Sequence, residues 1–212
     1  MTEKEAADAR AALSRAIETQ NEELASKYAT AKLITIDHLK LARKTFEERK
    51  FPESEVGFKA WQIYQNLLDN ADIGILQRIE HDEYTNDNGL YRDTKTQLLR
   101  RKLFSHIDDK DLESVRVLAK SDIINARHLR FAAEKYEQEI TKRGYDAESP
   151  GNYTRIFKIL IKNADKDLLE KVMPSLGSSA QEFIKKQVSE QTKKSIHPLD
   201  RLAKREPNGH GK

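Results

Sequence analysis

Apolar residues recur every three or four positions along nearly the whole chain, from Ile36 to Val188. That is the helical period; a half-buried strand would alternate every second residue. Only 8 glycines and 5 prolines interrupt 212 residues. Breakers so sparse do not suit a many-turned β protein, and they suit rods joined by short turns. The expected fold is all-α, with about nine or ten helices packed as hairpins.

The pattern is richest between Ile36 and Ile79. Val56, Ala60, Ile63 and Leu67 share one helical face, and Gly57, Trp61, Tyr64 and Leu68 lie beside it. Together they make a face wide enough for two neighbouring helices. Leu39, Ala42 and Phe46 supply the facing stripe of the preceding helix. Pro52 cannot sit inside a helix and biases Phe51 away from the helical region, so the run divides there. Burying one large side chain contributes roughly 1.5–3 kcal/mol. Trp61, Tyr64, Leu67 and Phe46 are therefore expected to dominate this region.

Leu41-Ala42, Phe46, Phe51, Ser54, Phe58 and Ala60 resemble one tetratricopeptide-type helical hairpin. The match covers about one unit of that roughly 34-residue repeat. It departs from the family at Trp61, where a small residue is preferred, and no proline closes the unit.

Elsewhere the chain reads as further helices. Thr2 to Glu5 is a capping-box pattern that opens a helix through residue 29 or so. Asn88-Gly89 signals a turn before a helix over Thr94 to Ile107. Ser179 with Glu182 makes a second capping box. Ile63-Tyr64, Leu67-Leu68, Asn70-Ala71-Asp72 and Ile75-Leu76 match Ile156-Phe157, Leu160-Ile161, Asn163-Ala164-Asp165 and Leu168-Leu169 at a constant offset. Phe46 and Tyr136 also correspond, with an insertion in the second copy. In each copy the Asp is expected to cap the helix that follows. This organisation divides the chain into a helical arm (1–30), a helical domain (31–192) and a disordered basic tail (193–212).

Composition excludes several chemistries. Without cysteine there are no disulfides, thiolate zinc sites or cysteine nucleophiles. No apolar run reaches the roughly 18 residues of a membrane span, and Met1 to Glu5 is too polar for a signal peptide. A soluble, cytoplasmic protein is the expectation. Neither a phosphate loop nor a nucleophile elbow is present. Setting Gly89 at the sixth position of a calcium loop puts Tyr84 and Lys95 where carboxylates are required. His38, His106 and His128 sit beside apolar residues on helices and read as boundary residues rather than ligands. No cofactor, metal or catalytic residue is assigned.

The net charge of +3 is uneven: eight basic residues face three acidic ones between Lys185 and Lys212. Two further clusters, Arg100-Arg101-Lys102 and Arg127-His128-Arg130, join Lys193 and Lys194 as candidate partner-binding residues. The favoured function is a non-catalytic protein–protein interaction, scaffold or assembly role, with a protein partner or self-association. A nucleic-acid-associated factor using those basic residues stays open, as does an enzyme with no linear motif.

Overall fold

A computed structural model describes residues 1–30, 32–49, 54–81, 88–120, 122–143 and 150–195. Among these the protein is all-α. Its helices are α1 (Glu3–Glu18), α2 (Glu22–Tyr28), α3 (Ile36–Glu48), α4 (Glu55–Asn70), α5 (Ile73–His81), α6 (Asn88–Asp108), α7 (Leu112–Leu118), α8 (Ala126–Arg143), α9 (Asn152–Asn163), α10 (Lys166–Val172) and α11 (Ser178–Ser195), with a 3₁₀ turn at Met173–Ser175. The chain forms two compact units, residues 1–101 and 102–212, and the division falls inside α6.

The N-terminal helical arm over 1–30 packs into unit one. Leu13, Ala16 and Ile17 of α1 and Ala25 of α2 lie in the core of unit one with Leu39, Ala42, Ile63, Tyr64 and Leu67. The expected single helix there is two, because the chain turns at Gln20. Gln20 is in the left-handed region at φ 56°. The Asn21 N–H returns to the Ala16 carbonyl and the Gln20 N–H to that of Ile17, a Schellman end. The Asn21 carboxamide then accepts from the Leu24 N–H at 3.0 Å and starts α2. One asparagine thus closes one helix and opens the next.

Ninety residues later unit two repeats this turn. Lys110 has φ 61°, the Asp111 and Lys110 N–H groups return to His106 and Ile107, and Asp111 accepts from the Ser114 N–H at 3.1 Å to start α7. The next helix also begins alike. Thr35 and Asn125 cap α3 and α8, and the N3 residue reaching back to each cap is a histidine. Nδ1 of His38 accepts from the Thr35 N–H at 3.1 Å, and Nδ1 of His128 from that of Asn125 at 3.2 Å. This is a capping box with imidazole in place of Glu or Gln. His38 and His128 are thus buried, at 5% and 0% exposure, rather than boundary residues. Burial lowers the His38 pKa; its Nε2 donates to the Arg10 carbonyl at 3.1 Å.

In each unit the paired long helices, α3 with α4 and α8 with α9, pack together. Ile63, Tyr64, Leu67 and Leu68 of α4 and Ile156, Phe157, Leu160 and Ile161 of α9 are buried as their shared pattern requires. The same correspondence extends to the first half of α6 and to α11. Leu90 matches Ala180, Thr94 matches Ile184, and Gln97 matches Gln187, each pair buried.

Several expectations fail locally. Val56 is 45% exposed, and Trp61 is half-buried, stacked on the exposed Phe58 with ring centroids 5.8 Å apart. The burial of α4 begins further along, at Gly57 and Ala60. Gly89 stands inside α6, whose first turn begins at Asn88. Asp165 occupies its cap position without a side-chain cap bond. α9, whose N-cap Gly151 offers no side chain, is capped from a distance: Glu139 accepts from the Tyr153 and Thr154 N–H groups and from the Thr154 hydroxyl. Glu137 likewise accepts from the Ala180 N–H at the start of α11, at 3.3 Å. A side chain at Gly177 would strike that Glu137 carboxylate. The helix α11 runs through Lys193 and Lys194 to Ser195, since no breaker precedes Pro198. The rest of the expected tail lies outside the described residues.

Candidate interaction face

The predicted basic residues have divergent surroundings. Arg101 turns inward within unit one and donates to the carbonyls of Leu68, Asp69 and Ala71 at 2.7–3.1 Å. It satisfies the last carbonyls of α4, a use of cations that the negative helix end favours. His128 is fully buried and lies against Phe104, centroids 4.2 Å apart. Both side chains are engaged inside their own unit. Arg100 is half-buried, and Lys102, Arg127 and Arg130 are exposed, with Arg130 Nε donating to the Ser175 hydroxyl at 3.1 Å. Lys193 and Lys194 lie in the last turn of α11.

A different set of cations gathers where α7 meets α9. A recess of about 620 Å³ is lined by Arg116, Arg155, Lys158 and Lys162, with Glu113, Asn163, Leu112 and Ile159. Arg116 is bound to Glu113 at 2.7 Å. Among the described residues, Arg155, Lys158 and Lys162 pair with no carboxylate. They project from α9 at positions i, i+3 and i+7, hence in one row. Like charges at that spacing oppose each other by about 0.2–0.5 kcal/mol per pair. Arg155 also stands in the first turn, near the positive helix end.

The matching place in unit one has other residues. Gln62, Gln65 and Asp69 stand where Arg155, Lys158 and Lys162 do, and Ser26 where Arg116 does. Glu22 and Asn66 replace Leu112 and Ile159. There the Asn66 amide donates to the Ser26 hydroxyl at 2.9 Å and ties α4 to α2. The helix pair therefore forms without these cations. The residues that build the face lie outside the predicted clusters, and scanning for adjacent basic residues misses them because a helix spreads one face over every third or fourth position.

Unit one holds two further polar places. In unit one a mixed-charge recess of about 760 Å³ is lined by Arg10, Lys32, Arg78, Asp37 and Asp72 among others. Deeper in that unit Arg43 pairs with Asp93, and with Glu47 at 2.6 Å, while the Tyr64 hydroxyl donates to Asp93 at 2.9 Å. Burial, then the Asp93 charge, pushes the Tyr64 phenol up. Tyr64 is fully buried, so the group is a packed polar cluster rather than an open site. Among the described residues no three ligating side chains gather as for a metal, and no helix is long and apolar enough to cross a membrane. Neither protein-family models, nor curated proteins, nor solved structures give a match to this chain.

Proposed function

We propose that the protein is a non-catalytic interaction protein whose second unit presents the α7–α9 face to an anionic partner. One observation carries this reading. Three cations that pair with no carboxylate among the described residues share a row on α9, at positions that unit one fills with Gln62, Gln65 and Asp69. The corresponding pair in unit one packs without such cations, and repulsion along the row opposes folding. Residues that cost stability on a rigid helix are residues with work to do elsewhere. The perturbed groups support the same reading: His38 is engaged in a helix cap, and Arg43 and Tyr64 in packing. Nucleic-acid binding through the adjacent basic clusters has less support, because Arg101 and His128 are used internally.

The test is affinity capture with the full chain and with the triple variant R155Q/K158Q/K162Q. A partner recovered in stoichiometric amount by the first and lost by the second supports the reading. Identical recovery by both, or turnover of a small molecule by a chain that captures nothing, overturns it.

A further inference from the structure

Resting on that interaction role, we infer that the occupant of the α7–α9 recess is an acidic amphipathic helix of a partner protein. Its carboxylates would meet Arg155, Lys158 and Lys162, and its apolar side chains would cover Leu112 and Ile159. Two properties of the recess change together relative to unit one. The rim becomes cationic, and the floor becomes apolar: Leu112 and Ile159 stand where unit one has Glu22 and Asn66. A polyanion needs only the rim. The two half-buried aliphatic side chains on the floor would bind more tightly by losing water to an apolar partner.

Spacing points the same way. Cations at i, i+3 and i+7 span about 10 Å along α9 at the helical rise. Carboxylates at i, i+3 or i+4, and i+7 on a facing helix meet that row in register. None of the described residues lining the recess is aromatic, so it offers no platform on which the bases of a single strand would stack. Arg116, already tied to Glu113, extends the positive rim on the α7 side.

Fluorescence anisotropy with the full chain tests this. The probes are a labelled 14-residue peptide with Glu in that spacing and Leu between, the same peptide with Leu replaced by Ser, and a 14-nucleotide oligouridylate. The Leu peptide is expected to bind at least about tenfold more tightly than the Ser peptide. The K158Q/K162Q variant should lose about tenfold or more of that affinity, while Q62A/Q65A, in unit one, should leave it unchanged. Equal binding of the two peptides, or tighter binding of the oligonucleotide, overturns the amphipathic helix and leaves an anion-binding face in place. Failure of every probe also overturns it, and the capture comparison above then judges the interaction role on its own.

Discussion

Unit one places an ionised cluster where unit two places benzene rings. Around Tyr64 in the first unit stand Arg43, Asp93 and Phe46, with the Phe46 and Tyr64 rings stacked at 5.3 Å. Around Phe157 in the second stand Ala133, Phe183 and Tyr136 at the matching positions, with ring centroids 5.1–5.8 Å apart. The helices in the two places follow the same order, with the same capped turns. One backbone plan therefore accepts either a charge pair sheltered by aromatic rings or a purely apolar contact. Features the two units share belong to folding. Features on the surface of one alone, such as the α9 cations, call for another explanation.

The largest effect should come from breaking the charged version on one side. Asp93→Ala leaves the Arg43 guanidinium, 13% exposed, without its inner carboxylate. Removing one partner of a buried pair costs 3–5 kcal/mol, and the partial exposure of Asp93 reduces this to about 2 kcal/mol in urea unfolding. Transplanting the apolar version, R43A/D93F/Y64F, should recover most of that loss, because well-packed apolar replacements of ion pairs are near neutral. A transplant no more stable than Asp93→Ala would mean that the two places are not equivalent.

A smaller effect concerns the histidine cap. Burial lowers the His38 pKa below its ordinary 6.5. The unfolded chain then binds more protons than the folded one as the pH falls through 6.5. Stability conferred by neutral His38 is present above that value and declines below it. H38Q, which keeps a capping side chain at the same position, should flatten this part of a pH series of urea midpoints. An unchanged slope would place the acid sensitivity elsewhere.

The smallest effect should appear at the left-handed residues. Gln20→Gly and Lys110→Gly each relieve a side chain held at positive φ, and each should raise stability by about 0.5–1 kcal/mol. Thermal unfolding of the two variants should give shifts of the same sign; opposite signs would separate the two turns.

Much of the architecture was legible from spacing alone. The helical period, the inward faces of α4 and α9 and the likeness of the segments ending at Asp72 and Asp165 all follow from a few apolar positions. The front half of the repeat was not, because its signal lies in caps rather than in greasy residues. Asn21 and Asp111 perform one task with different side chains, as do Thr35 and Asn125. Distant caps were also hidden, since nothing near α9 in the chain points to Glu139. Arg101 looked like surface charge because a run of basic residues does not reveal that its middle member reaches three carbonyls of α4 and its end. The α7–α9 face is marked only by the difference between corresponding positions of the two units.

The most direct measurement is thermal unfolding at low salt of a chain carrying R155Q, K158Q and K162D, which gives α9 the residues of α4. If the cations are there for a partner, the variant unfolds at or above the wild-type temperature, since repulsion along the helix is relieved. A fall of several degrees would contradict this, and would show that the basic row holds unit two together.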